Sequence, residues 1–198
     1  MNVETIYSFV LPEVLSCPQP LARQAIVAAA NEFCVDSMAW NATEAERLEA
    51  GISEYEPSKP SQSYIITYRG VYADTRKLTA VSRIMGEEVG EPSVYSSPDF
   101  GVLKVYPTPT ESGVLSVDCV YGPVHTATTL PDFMTRYISV IAAGAKSNLL
   151  MMSGAAWANP QLATFYAQVF RDGVIAARIK EAHGRNPGAL TVNPLFFG

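Results

Sequence analysis

An α+β architecture is expected of this chain: a helical bundle built from N- and C-terminal helices, with an antiparallel β-sandwich or barrel-like domain inserted between them. The chain opens on an Ala-rich stretch of helical period, its middle alternates apolar and polar residues in steps of two, and two amphipathic segments with helical period close it. Helices from both ends can share one core only if the strand-rich middle leaves and returns. This divides the chain into a helical part, 1–50 with 128–198, and an inserted β domain, 51–127.

The first helix begins near Pro18 or Pro20, where a fixed φ suits an opening turn, and places Ala22, Ile26, Ala29, Ala30 and Phe33 on one stripe. Alanine keeps that face narrow, so a neighbouring helix can approach closely, while Phe33 and Trp40 supply volume. Beyond Asn41, Thr43-Glu44-Ala45-Glu46 matches a capping box and predicts a short helix to Ala50, ended by Gly51. From Ile52 the period is two: Tyr64, Ile66 and Tyr68 alternate with Ile65 and Thr67, and Leu115, Val117, Cys119 and Tyr121 alternate with Ser116, Asp118 and Val120. Turn chemistry at Pro57 to Pro60, Gly70, Gly86 to Pro92, Pro98 to Gly101 and Pro107 to Gly113 suits antiparallel hairpins, so a β domain is expected from about Ile52 to Val124.

Helical period returns at Thr129, expected as an N-cap, with Pro131 and Asp132 in the first turn. Met134, Tyr137, Ile138, Ile141, Ala145, Leu149 and Met152 trace a core-facing stripe, and Gly154 marks the end. The last helix takes Asn159 as N-cap and Pro160 as its first residue, followed by Leu162, Phe165, Tyr166, Val169, Phe170, Gly173, Ala176 and Ala177. The short connection makes these two helices antiparallel neighbours, with Gly144 and Gly173 as sites of close backbone approach. After Gly184 periodicity stops. Leu195, Phe196 and Phe197 end the chain, and apolar side chains left in water forgo about 1.5–3 kcal/mol each. They either pack back on the body or dock into a neighbour, which makes them the candidate partner-binding residues.

Composition excludes several functions. A formal charge of −5, with fourteen Lys and Arg that form no run, argues against a protein that reads nucleic acid. Cys17, Cys34 and Cys119 are too scattered for a zinc site or a disulfide framework and are expected as reduced, buried thiols. Met1 to Pro12 lacks the basic start and apolar run of a signal peptide, and no stretch reaches the ~20 apolar residues of a membrane span, so synthesis in a reducing cytoplasm is expected. His125 and His183 have no titratable companions nearby, and no nucleophile, nucleotide or metal motif occurs. The glutamates at 44, 46, 49, 54 and 56, and at 87, 88 and 91, read as solvated faces, and Asn41-Ala42-Thr43 as helix capping. No enzyme activity, cofactor or metal is expected; the chain should work through its surfaces.

The block Leu130-Pro131-Asp132-Phe133-Met134, continuing through Ile141 to Lys146 and Leu149 to Met152, then Trp157-Ala158-Asn159-Pro160 with Ala163, Tyr166, Phe170 and Gly173, resembles the carboxy-terminal half of tailed-phage head-to-tail adaptor (connector) proteins, the family of tail tubular protein A of short-tailed phages. The Pro-led helix reaching Phe33-Cys34, Trp40, Gly51 to Tyr55, and Tyr106-Pro107-Thr108-Pro109 agree, so the likeness spans about Leu15 to His183. It implies a virion structural protein: a ring of identical subunits, usually twelve, under the portal protein at the phage neck. Its helices would form the ring, its β domain would face the tail or nozzle protein, and DNA would pass through the channel without sequence-specific binding. In that family the segment after the last helix docks on the portal, which would assign Leu195, Phe196 and Phe197. An acidic balance is compatible with a channel wall that does not hold phosphate. The alternative is a module that binds a glycan or protein ligand through strand tyrosines Tyr64, Tyr68, Tyr72 and Tyr95.

Overall fold

Val3, Ile6, Val10 and Val14 recur every three or four residues, and all four are fully buried. They fold as a 3-10 turn (Val3–Ile6), a single helical turn α1 (Tyr7–Val10) and a second 3-10 turn (Leu11–Glu13), an element the sequence pattern did not single out. The computed structural model describes residues 1–99 and 101–183. The candidate residues Leu195, Phe196 and Phe197 lie outside the described residues.

Helix α2 (Gln19–Ser37) starts on Pro18 and Pro20 as expected and buries the predicted Ala22, Ile26, Ala29, Ala30 and Phe33. Met38 ends it in the left-handed region at φ 55°, donating its N–H to the Cys34 carbonyl at 3.0 Å. That reversal turns the chain straight into a sheet. The short capped helix expected over Thr43 to Ala50 is instead strand β1 (Asn41–Leu48), in antiparallel register with a later strand from Asn41 opposite Val120 to Leu48 opposite Gly113. Glu44 and Glu46 face inward with Leu48, and their carboxylates accept from the Tyr121 hydroxyl at 3.1 Å and the Ser58 N–H at 3.0 Å. Eight paired residues and two satisfied carboxylates outweigh a capping preference worth about 1 kcal/mol. The insertion therefore begins at Asn41 rather than at 51.

The remaining strands are β2 (Glu54–Tyr55), β3 (Ser63–Ala73), β4 (Arg76–Lys77), β5 (Thr79–Ala80), β6 (Val89–Gly90), β7 (Val94–Asp99), β8 (Val102–Tyr106), β9 (Thr108–Pro109) and β10 (Gly113–Pro123). One sheet runs β1-β10-β3-β4 and the other β2-β8-β7-β5, with β6 and β9 as a separate pair. All pairings are antiparallel except β5 with β7 and β6 with β9, two-residue parallel contacts that the hairpin reading missed. Leu115, Val117, Cys119 and Tyr121 of β10 join Leu103 and Val105 of β8 in a fully buried core. Val120 is buried as well, because α2 packs near the end of β10 and the Asn31 amide donates to the Pro123 carbonyl at 2.9 Å. Alternation fails where a strand is covered on both faces.

The chain returns through Thr129, which is not the expected N-cap. Its backbone bridges to Asn2, with Val3 N–H to Thr128 O at 3.0 Å and Leu130 N–H to Met1 O at 2.8 Å. Strand-like pairing holds Thr129 extended, so Pro131 opens a 3-10 turn (Asp132–Tyr137) that leads into α3 (Ile138–Leu150). Ala142, Ala143 and Leu150 are buried along with the expected Ile141, Ala145 and Leu149, since α3 lies against both α2 and the last helix. It ends at Leu150, short of Gly154.

Helix α4 (Pro160–His183) begins as predicted, with Asn159 Oδ1 accepting the Leu162 N–H at 3.1 Å. Gly173 meets Val140, Phe170 meets Gly144 and Tyr166 meets Lys146, so α3 and α4 run antiparallel. A Cβ on Gly173 would lie 2.5 Å from a Val140 methyl, and one on Gly144 would lie 2.8 Å from the Phe170 ring. Gly173→Ala should lower stability by about 1–3 kcal/mol in urea unfolding, and Val140→Ala in the same chain should recover part of that loss, because it removes the methyls in the way. The three cysteines are unpaired and buried as expected, and burial pushes the Cys34 thiol up and the Cys119 thiol up to about 11. All three should resist a thiol reagent at pH 8 in the native protein and react together on unfolding.

Candidate interaction surfaces

The β domain is joined to the helices by two chain crossings, residues 38–41 and 123–131, and polar side chains tie both. The Asn31 amide exchanges hydrogen bonds with the Tyr64 hydroxyl at 2.9 and 3.2 Å. The Asn41 amide donates to Met38 O at 3.0 Å and to Glu181 Oε1 at 2.7 Å, and Arg69 reaches the same Glu181 oxygen at 3.5 Å. Gln62 Oε1 accepts the Thr128 N–H at 2.6 Å, and Arg23 donates to the carbonyls of Thr126 and Ala127. Trp40 packs against both cores, its ring 5.9 Å from that of Tyr121. Such a junction presents the β domain at a set angle.

Among the described residues the two histidines lie apart. His125 lines a shallow cleft with Tyr7, Gln19, Arg23 and Gln24, whereas His183 is the last residue of α4. Among the described residues no group of three His, Cys, Asp or Glu side chains is placed to hold a metal ion. The best-defined charged cluster is structural: Tyr166 donates to Glu13 Oε1 at 2.7 Å, and Lys146 lies 3.5 Å from the same oxygen and 4.5 Å from the Tyr166 ring centroid. The Tyr166 hydrogen bond, and then the Lys146 charge, hold the Glu13 carboxyl below the usual carboxylate range. Desolvation and the facing Glu13 push the Tyr166 hydroxyl up to about 12. This cluster fastens the N-terminal segment to α3 and α4.

The four strand tyrosines do not share one exposed face. Tyr64 is held by Asn31, Tyr68 is half-buried against the β core, Tyr95 lies within that core, and Tyr72 has the Lys77 ammonium 6.0 Å from its ring centroid.

The largest departure from the expected burial is on α4. Its inward side chains, Ala163, Phe170, Val174 and Ala177, fill the helical core. Phe165, Ile175, Ile179 and Val169 remain 59%, 55%, 53% and 38% exposed, with Ala176 exposed between them. The sequence pattern grouped Phe165, Val169 and Ala176 with Phe170 and Ala177 in one apolar run without dividing it into faces. The signal separating them was present, because Phe165, Val169, Ala176 and Ile179 follow their own three-four spacing, offset from that of the buried set. Apolar residues also project elsewhere on the helical body, at Phe9, Leu15, Val35 and Met151, and on the β domain, at Met85 and Val89. No helix among the described residues is long and apolar enough to cross a membrane.

Comparison with protein-family models and with curated proteins finds no match to this chain.

Polar substitution on the outer face of α4 should not disturb the fold. Phe165→Gln with Ile179→Gln should keep the melting temperature within about 2 °C, since exposed side chains contribute within ±0.5 kcal/mol. The same pair should reduce binding of a hydrophobic-surface dye to the native protein.

Proposed function

We propose that this chain is a virion structural protein, a head-to-tail adaptor that forms a ring under the portal protein at the neck of a tailed phage. The observation that carries the reading is one helix face left apolar and open on a helical body to which a β sandwich is firmly fastened. Monomers rarely leave such a face uncovered unless another protein covers it. A ring of identical copies requires a surface repeated around a closed symmetry, and packed helices hold the angle that closure demands. The rigid junction supports offering the β domain to the tail or nozzle protein. The resemblance read from the sequence supplies the portal as template, twelve as the subunit number, and a channel through which DNA passes without sequence readout. The protein then assembles in the host cytoplasm and resides in the virion.

No observation favours the glycan-binding alternative, because its tyrosines do not form a common platform. The reading also leaves no role for catalysis. Mixing the purified chain with the portal protein of the same phage should yield a co-sedimenting complex that appears as a stacked ring in electron micrographs. Failure to bind the portal, with no ring at high concentration, overturns it. Removing 195–198 should weaken portal binding at least tenfold if Leu195, Phe196 and Phe197 dock there; undiminished binding removes them from the interface.

A further inference from the structure

Where the helical body meets the sheet, a cleft of about 370 Å³ is walled by three half-buried rings, Trp40, Phe133 and Tyr137, with the exposed Arg136 and Lys180 beside them. Neither cation has a hydrogen-bond or ion-pair partner among the described residues. The carboxylate that also lines the cleft, Glu181, is spent on Asn41 at 2.7 Å and Arg69 at 3.5 Å, so the opening carries net positive charge. Rings beside unpaired cations suit an apolar side chain flanked by carboxylates.

The β domain carries such a group. Glu87-Glu88 is the only pair of adjacent acidic residues in the chain, and the flanking Met85 and Val89, 78% and 65% exposed, are the most exposed large apolar side chains of the described β domain. Glu87 has no partner among the described residues, and Glu88 meets the Tyr106 hydroxyl. Arg83 lessens this charge without cancelling it, and Glu91 is taken by Arg76 at 3.0 Å. The loop is pinned: Thr108 N–H donates to Glu88 O at 2.9 Å, Val89 and Gly90 pair with Thr108 and Pro109, and a Cβ on Gly86 would lie 3.0 Å from the Tyr106 hydroxyl. Docking it therefore orders little. Asn41, at one end of β1, lines the aromatic cleft, whereas Leu48, at the other, shares a separate cleft with Gly90 and Glu91, so about 23 Å of strand keeps the loop from its own cleft.

We propose that the 85–89 loop of one copy docks in the aromatic cleft of the next, with Met85 against the rings and Glu87 and Glu88 toward Arg136 and Lys180. The inference rests on the ring reading above and names a contact between its copies. Charge selects the occupant: two clefts placed face to face would oppose their own cations, whereas the loop brings the opposite sign together with the apolar side chains the rings lack. Single-stranded nucleic acid also brings anions and stackable rings. Two cations make no track for a backbone, however, and the chain has no basic run to extend one. Because loop and cleft are different surfaces at opposite ends of β1, each copy gives one and receives the other, the heterologous geometry of which rings are made.

The test traps the contact between full-length chains. Met85→Cys and Ala39→Cys, the latter in the cleft wall, are placed in separately tagged chains and mixed at high concentration under mild oxidation, the native thiols being buried. The mixed pair should cross-link at least tenfold faster than either variant alone. Lys180→Cys replaces Ala39→Cys should the latter lower the melting temperature. Arg136→Glu with Lys180→Glu in the Ala39→Cys chain should cut the yield at least tenfold, and Glu87→Lys in the Met85→Cys chain should recover much of it. A mixed rate no higher than the controls, or a yield indifferent to these charge reversals, overturns the contact. So does retention of a thymidine oligonucleotide that Lys180→Glu abolishes, without the mixed cross-link, which assigns the cleft to nucleic acid. Micrographs of the unmodified protein separate the two readings: closed rings without the mixed cross-link refute the contact and keep the ring, whereas open filaments with it keep the contact and refute the ring.

Discussion

The helical body depends on how closely α3 and α4 approach at Gly144 and Gly173. With no side chain at either position, the Phe170 ring lies over one backbone and the Val140 methyls over the other, so three helices close around a core that includes only one large aromatic from α2, Phe33. Any Cβ there would push α4 outward and open the space filled by Ala29, Ala145 and Ala163. Interiors pack at crystal-like density, so such a shift spreads through the whole bundle rather than being absorbed locally.

From that contact the position of the β domain follows. Glu181, near the end of α4, holds Asn41 and Arg69 of the sheet, while Asn31 of α2 holds Tyr64 and Pro123. The two crossings are thus fastened by residues from both helices that flank α3. Hydrogen bonds of this kind contribute only about 1 kcal/mol each, yet several of them around Trp40 remove the swinging freedom that a bare two-strand linker would leave.

The same bundle explains why α4 is apolar on two sides. Ala163, Phe170, Val174 and Ala177 are spent inside the molecule, and Phe165, Val169, Ala176 and Ile179 are left over. Covering what remains exposed of Phe165, Val169 and Ile179 would recover part of the about 1.5–3 kcal/mol that complete burial of each such side chain is worth. That apolar surface on one rigid element is the feature on which the proposed contact with other proteins rests.

Local chemistry in the sequence was enough to locate α2, α3, α4 and β10, because periodicity, the prolines at 18, 20 and 160, and the Asn159 cap act within a few residues of chain. Gly144 and Gly173 were legible for the same reason: glycine in a helix costs about 1 kcal/mol and signals close packing. Three features were decided only by tertiary structure. Residues 41–48 carry a sound helix start, yet the open edge of β10 and the need to satisfy Glu44 and Glu46 make them a strand. Thr129 reads as a cap, yet pairing with Asn2, 127 residues away in sequence, keeps it extended. The pattern on α4 shows that two faces are apolar, but which one is core depends on where α2 and α3 lie, since the hydrophobic effect has no direction of its own and burial is defined only by the neighbours that supply it.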